Sequence, residues 1–284
     1  MSTNIINGKE VAQQLRKEMR VEVERLRKEG ILPHLAVILV GDDPASKSYV
    51  KGKEKAAKEI GMSSEVIYMP SDTEEATLLE KIKELNEKAS VHGILVQLPL
   101  PKHIDEERVI ATIDPRKDVD GFHPLNVGKM VLNQETFLPC TPHGILQMLK
   151  LKDITIDGAH AVIVGRSNIV GKPMGQLLLN ENATVTYCHS RTKNLKELTL
   201  QADILIVAVG KAHMLDGSFI KDGATVIDVG VNRTEEGSLT GDVEFHSAKE
   251  KAAYITPVPG GVGPMTITML LDNTIKAAKR LHRS

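Results

Sequence analysis

Three groups of residues in this 284-residue chain have types and spacings suited to chemistry. Lys53 lies in the segment YVKGKEKAAKEI, residues 49–60. Its neighbours Lys51, Lys55 and Lys58 fall on one helical face, as an ordinary solvated stripe. Lys53 instead shares its stripe with Tyr49, Ala56, Ala57 and Ile60, which points it toward the core side of a helix. A lysine there must snorkel out, pair, or act as an acid/base group with a lowered pKa. Gln97 is the second odd residue: it interrupts the apolar run ILVQLPL near the C-terminal end of a strand, where open α/β sheets bind ligands. A buried Gln needs hydrogen-bond partners, either nearby backbone or a lysine or substrate amide. The third group is Asp118-Val119-Asp120, two carboxylates in a loop. No further ligand follows at calcium-loop spacing, and neither HExxH nor CxxC is present, so no metal site is expected. A carboxylate here could hold an amino-pyrimidine edge through paired hydrogen bonds.

A second kind of chemistry sits further along. Residues 162–175 read as a strand, a turn at Gly165-Arg166-Ser167 and a helix start with Gly171 and Gly175. Such a turn brings backbone N–H groups and a helix N-terminus up to a pyrophosphate. The glycine spacing is longer than GxGxxG, and a plain strand-to-helix connection would read the same way. The next strand adds information. Dinucleotide folds that take NAD usually place a carboxylate after it, but here His189-Ser190-Arg191-Thr192 follows. Ser190 and Arg191, with Arg166 as a second cation, favour the 2′-phosphate of NADP.

The elements that must position these groups alternate strand and helix. Residues 7–28 form an amphipathic helix ended by Gly30. The runs at 35–40, 65–69 and 93–98 read as strands, with helices to about residue 60 and over 73–86 between them. Continuous apolar runs such as LAVILV suit strands buried on both faces. Residues 114–142 carry turn residues and little periodicity, and a domain change is placed near Leu138. Thr141-Pro142 reads as an N-cap followed by proline at the first helical position. From Ala161 the rhythm restarts with AVIVG, ATVTYC, DILIVAVG and ATVIDVG. An amphipathic helix from about Met265 closes the chain. The fold class expected is therefore α/β with two domains: an N-terminal catalytic domain over 1–138, completed by 265–284, and a Rossmann-like domain over 139–264.

Composition narrows the function classes. A formal net charge of -1 implies no broad basic surface for nucleic acid, and the absence of Trp argues against base-stacking platforms. No apolar stretch reaches bilayer length, and MSTNIINGKEVAQQL lacks a signal-peptide pattern. Two distant cysteines, Cys140 and Cys188, suit a reducing compartment, and a cytoplasmic protein is expected.

Six motifs, in order and spanning nearly the whole chain, resemble one family. They are Gly41-Asp42-Asp43-Pro44-Ala45-Ser46 with Tyr49-Val50, Lys53 and Lys55; His92-Gly93-Ile94-Leu95-Val96-Gln97-Leu98-Pro99-Leu100-Pro101; Lys117-Asp118-Val119-Asp120-Gly121; Pro139-Cys140-Thr141-Pro142; Gly165-Arg166-Ser167 with Val170-Gly171 and Pro173; and Thr256-Pro257-Val258-Pro259-Gly260-Gly261-Val262-Gly263-Pro264-Met265-Thr266. The sequence is similar to the bifunctional methylenetetrahydrofolate dehydrogenase / methenyltetrahydrofolate cyclohydrolase family. The resemblance implies that Lys53 is the catalytic residue of the hydrolytic step, that Gln97 bonds and tunes it, and that Asp120 holds the pterin-like ring. It implies that Tyr49 stacks on the aminobenzoate ring and that Pro259, Gly260, Gly261 and Val262 close over the folate. Gly165, Arg166, Ser167, Ser190 and Val231 would bind NADP, with Arg191 beside them. Homodimers, and a C-terminal helix packed back on the first domain, follow from the same resemblance. Three rival readings are weighed: a shikimate-type dehydrogenase, against which the Gln97 strand motif and the Pro-Gly-Gly-Val loop argue; a monofunctional NAD(P)-dependent dehydrogenase, against which Lys53, Gln97 and Asp120 argue; and a silent nucleotide-binding module, against which Lys53 and Asp120 argue.

Overall fold

The computed structural model describes residues 3–283; residues 1–2 and 284, the outermost of the expected catalytic domain, lie outside them. The first part of the chain runs β1 (Asn4–Ile5), α1 (Gly8–Lys28), β2 (His34–Val40), α2 (Pro44–Glu59), β3 (Ser63–Met69), α3 (Glu75–Glu87), β4 (Gly93–Val96), α4 (Glu106–Thr112) and α5 (Pro124–Val131). The second part runs α6 (Cys140–Leu151), β5 (His160–Val164), α7 (Gly171–Asn180), β6 (Thr184–Cys188), α8 (Leu195–Thr199), β7 (Ile204–Val207), β8 (Thr225–Asp228), β9 (Asn232–Arg233), β10 (Leu239–Thr240), α9 (Phe245–Lys249), β11 (Tyr254–Ile255) and α10 (Val262–Arg283). Among the described residues no helix is long and apolar enough to cross a membrane.

The chain divides into two compact units. One holds Gln14–Cys140 and the chain from Ile267 on; the other holds the chain up to Gln13 together with Thr141–Thr266. The first unit contains a parallel sheet of order β3-β2-β4. Every residue of β2 from Leu35 to Val40 is buried, as its apolar run requires. Ala36, Ile38 and Ile94 of this sheet pack with Leu78, Ile82 and Leu85 of α3 and Val109 of α4. The second unit contains a sheet of order β1-β11-β8-β7-β5-β6, with every pairing parallel. Its core gathers Val162, Val164, Leu205, Val207 and Val226 from the strands with Leu215, Val243 and Ile255.

The structure departs from the sequence reading in four places. The first strand does not belong to the sheet that follows it: Asn4 and Ile5 pair with Tyr254 and Ile255, so the first residues join the Rossmann-like unit rather than the domain expected over 1–138. A two-residue strand has no periodicity to reveal its partner. Second, the region expected to be irregular contains α5, and α4 precedes it. Both are single short helices started by a capping side chain: Asp105 accepts from Glu107 N and Arg108 N, and His123 Nδ1 accepts from Leu125 N. Third, α6 begins at Cys140 rather than after Thr141. Pro142 then lies within the first turn, where its missing N–H has no intrahelical partner to lose. Fourth, β4 ends at Val96 rather than 98, although Gln97 N still donates to Ile38 O at 2.8 Å.

The C-terminal part of α10 packs into the first unit. Thr274 is buried, and a side chain at Gly93 of β4 would press on its Oγ1. Arg280 Nη2 bonds Glu135 at 2.6 Å, its guanidinium lies 4.8 Å from the Phe137 ring, and Lys279 pairs with Glu22 of α1.

Candidate active site

Helix α2 starts from Asp43, whose Oδ2 accepts from Ser46 N at 2.7 Å, with Pro44 in the first turn. This cap sets the phase that turns Val50, Lys53, Ala56 and Ala57 inward. Lys53 is only 8 % exposed. Its Nζ donates to Gln97 Oε1 at 2.9 Å, across from α2 to the end of β4. The other end of that amide, Nε2, donates to Leu98 O at 2.6 Å, so the carbonyl oxygen is the end presented to Lys53. Of the partners the sequence left open for Gln97, the structure uses both the lysine and the backbone.

The two loop carboxylates part company. Asp118 is buried and works on its own loop: Oδ1 accepts from Gly121 N at 3.2 Å and Phe122 N at 3.3 Å, and Oδ2 from His123 N and Asn126 Nδ2, each at 2.8 Å. Gly121 has φ +77, and a Cβ there would collide with the Leu138–Pro139 backbone. Lys117 is committed too, its Nζ donating to Leu85 O, Asn86 O and Lys88 O and so capping the C-terminal carbonyls of α3. Asp120 is the half-buried carboxylate left to face Lys53.

Charge follows geometry. Burial pushes the Lys53 amine below its ordinary range, and the Asp120 carboxylate pulls partly the other way. Burial likewise pushes the Asp120 carboxyl up, opposed by Lys53. The Cys140 thiol goes well up through burial and the nearby Asp120. Tyr49, four residues before Lys53 on α2, is 38 % exposed, and its partial burial raises its hydroxyl. Lys53, Gln97 and Asp120 therefore form one cluster, with Tyr49 a helical turn away. An amine shifted toward neutrality beside a carboxylate can accept a proton from a bound molecule.

Two residues in this cluster were not singled out from sequence. Cys140 Sγ donates to Val119 O at 3.2 Å and lies against Asp120. Asn273, buried in α10, donates from Nδ2 to Val119 O at 2.9 Å and Leu138 O at 3.0 Å. The polar interruption of an otherwise apolar helical stripe at Asn273 was the signal for it; nothing local marked Cys140.

The other unit carries the glycine turn. Gly165, at the end of β5, has φ +134, and a Cβ on it would collide with Ala208 O. Gly171 would similarly meet Gly165 O at 2.5 Å, and Gly175 would run into the Tyr187 hydroxyl. Ser167 Oγ accepts from Val170 N at 3.1 Å and Gly171 N at 3.2 Å, closing the turn onto the start of α7. Arg166 and Ser167 are exposed on that turn; Ser190 and Arg191 are exposed at the end of the adjacent strand β6. Val231, 48 % exposed, follows β8. Pro259 and Gly260, with φ +102 at Gly260, follow β11, while Gly261 and Val262 are buried behind them. All of these lie past C-terminal strand ends of one parallel sheet. The tight glycine turn, the two arginines and the lack of a carboxylate over 189–192 fit a phosphorylated dinucleotide.

Such a sheet with a glycine turn, and a separate α/β unit holding a buried lysine, define a dinucleotide-dependent enzyme of two α/β domains. The chain belongs to the tetrahydrofolate dehydrogenase/cyclohydrolase family. The family's catalytic-domain model matches residues 6–120 and its NAD(P)-binding-domain model residues 139–282. The bifunctional protein FolD of Oceanobacillus iheyensis is 64% identical over 278 residues, 98% of either chain. The crystal structure of the bifunctional FolD methylenetetrahydrofolate dehydrogenase/cyclohydrolase from Campylobacter jejuni is 50% identical, covers 98% of this chain and 99% of its own, and superposes with a TM-score of 0.96. The methylenetetrahydrofolate dehydrogenase-cyclohydrolase of Trypanosoma brucei, solved with NADP cofactor and an inhibitor, is 39% identical over 99% of either chain, with a TM-score of 0.95.

Proposed function

We propose that this protein oxidises methylenetetrahydrofolate to methenyltetrahydrofolate with NADP and then hydrolyses the product to formyltetrahydrofolate. The observation that carries the reading is the buried Lys53 amine held by Gln97 Oε1 and faced by Asp120. Bound NADP supplies the hydride acceptor. The chain's own residues do the rest. The exposed cations Arg166 and Arg191, with Ser167 and Ser190, bind the phosphates, and Val231 lies along the dinucleotide. Asp120 holds the amino-pyrimidine edge of the folate, Tyr49 stacks on its aminobenzoate ring, and residues Pro259, Gly260, Gly261 and Val262 cover the substrate. This orientation sets the methylene carbon for hydride transfer.

The methenyl product is a cation. Water adds to its methenyl carbon and loses one proton, giving a neutral carbinolamine; the hydroxyl proton then passes to the departing ring nitrogen as the C–N bond breaks, which leaves the formyl group. Lys53 accepts the first proton and relays the second from oxygen to nitrogen. A cation beside a charged lysine is unfavourable, so substrate binding itself pushes Lys53 further toward the neutral amine. Gln97, its amide fixed by the bond to Leu98 O, keeps the amine aimed. The folate half corresponds to Gln14–Cys140 with the chain from Ile267 on, and the cofactor half to the other unit. The same reading makes the protein a cytoplasmic homodimer. The buried free thiols of Cys140 and Cys188 agree with a reducing compartment, and light scattering tests the dimer.

The deciding assay follows reduced cofactor and methenyl product together from methylenetetrahydrofolate, with NADP and with NAD. Reduction of NADP with little methenyl accumulation, and hydrolysis of methenyl-folate supplied directly, is expected. Methenyl build-up would mean a dehydrogenase without the hydrolytic step. No turnover with either cofactor would mean a silent module.

A further inference from the structure

Asp242 lies in the segment after β10 and is fully buried. Its Oδ2 accepts from Val209 N at 2.6 Å and Gly210 N at 2.9 Å, both in the loop after β7. Its Oδ1 accepts from Lys211 N at 2.8 Å and from Asn232 Nδ2 at 2.9 Å, the latter the first residue of β9, where the loop after β8 ends just past Val231. One carboxylate thus ties together two loops at the C-terminal ends of neighbouring parallel strands, where open sheets bind their ligands. The carboxylate is itself held. Asp242 N donates to Asp228 Oδ1 at 3.0 Å, and Asp228, the last residue of β8, also accepts from Gly230 N and Val243 N at 2.9 Å. A side chain at Gly230 would strike the Asp242 carboxylate, and one at Gly241 would strike Asp228.

Burying a carboxylate is costly unless donors satisfy it. Here four donors do, and three are loop backbone groups that have no partner in a strand. We propose that Asp242 is a positioning residue for the cofactor: it presets the loops after β7 and β8 as one ledge for the nicotinamide half of the dinucleotide. The strand order gives the direction. The cations Arg166 and Arg191 follow β5 and β6, while β7 and β8 lie on the other side of β5. A dinucleotide anchored by its 2′-phosphate over β6 and by its pyrophosphate at the β5 turn extends toward the ledge. The inference rests on the NADP reading above.

The test titrates NADPH and adenosine 2′,5′-bisphosphate, a probe of the phosphate end alone, against wild type, Asn232→Ala and Asp242→Asn. Hydrolysis of supplied methenyl-folate and the melting temperature are measured alongside. Asn232→Ala removes one donor and keeps the carboxylate, so it remains readable if Asp242→Asn does not fold. The expected result is a roughly tenfold weaker NADPH Kd for Asn232→Ala, which is ~1.4 kcal/mol. Affinity for the bisphosphate and the hydrolytic rate stay within about twofold of wild type. Equal losses for both probes would reduce Asp242 to a stabilising residue and overturn the proposal, as would unchanged NADPH binding. Wild type that binds the bisphosphate no better than adenosine would instead overturn the NADP reading, and the proposal with it.

Discussion

Replacing Lys53 by methionine separates proton transfer from everything else the site does. Methionine has nearly the length of the lysine stem, so it fills nearly the same space on the buried face that Lys53 shares with Val50, Ala56 and Ala57. The loss is one hydrogen bond, 2.9 Å to Gln97 Oε1, together with the amine that makes it. Leaving a buried acceptor unmet costs ~1–3 kcal/mol, but burial of the lysine charge disappears at the same time, so stability near neutral pH should change by less than about 2 kcal/mol. Catalysis responds differently. A positioned acid/base group contributes roughly 10²–10⁴-fold, or ~3–5 kcal/mol of barrier. Hydrolysis of supplied methenyl-folate should fall by that factor, while the NADPH Kd stays put. Lys53→Arg should fail as well, because a guanidinium keeps its charge and cannot accept the proton. The pH dependence has a definite sign. The folded-state pKa of Lys53 lies below its ordinary 10.5, so the unfolded chain holds more protons between the two values. Wild-type stability relative to Lys53→Met should therefore rise with pH across that window, and hydrolysis should rise through the folded-state pKa and level off. Undiminished hydrolysis in Lys53→Met, or substantial activity in Lys53→Arg, would refute the assignment.

Asp120→Asn should raise the KM for the folate. It should also shift the rise of hydrolysis to lower pH, since Asp120, ahead of Cys140, holds the Lys53 pKa up against burial; an unmoved pH profile and KM would contradict both roles. Replacing Arg166 and Ser190 by alanine together should narrow the NADP-to-NAD preference by roughly tenfold or more, the worth of losing charge-assisted phosphate contacts, read as the ratio of kcat/KM for the two cofactors. Asn273→Leu should cost about 2–4 kcal/mol in urea unfolding, because Val119 O and Leu138 O lose a shared buried donor. It should slow both activities through the Asp120 loop, and a variant as stable and active as wild type would remove Asn273 from that role.

How far the sequence reaches depends on whether the signal is periodic or tertiary. The inward phase of Lys53 was legible because a helix repeats: Ala56, Ala57 and Ile60 of its stripe are buried as the spacing implies, whereas Tyr49, assigned to the same stripe, is 38 % exposed. Gln97 was legible because a polar residue interrupts a strand buried on both faces. The parallel sheets were legible from apolar runs alternating with helices. By contrast, the pair Asp118 and Asp120 could not be sorted from sequence. Both are carboxylates in one loop, and only the folded turn shows that four donors take up Asp118 and leave Asp120 beside Lys53. Strand β1 went to the distant sheet because two residues carry no period. Asn273 and Cys140 join Val119 across 154 and 21 positions respectively, separations that no local pattern encodes.

The same distinction explains where the polar residues of the interior lie. Lys117, Asp118, Asn273, Asp228 and Asp242 are all buried, and most of their bonds go to backbone groups of loops or helix ends. Loops past strand ends leave N–H and C=O groups without ladder partners, and a buried loop needs those groups satisfied. Each of these side chains supplies several partners at once, so each replaces the regular ladder where the chain must be irregular to present a site. Lys53 differs from these five. Its hydrogen bond within the site goes to a side chain, Gln97, whose far end is already spoken for by Leu98 O. Its burial therefore stabilises no loop. The cost of burying that amine is what lowers its pKa, and the direction of that shift suits the proton transfer proposed for it.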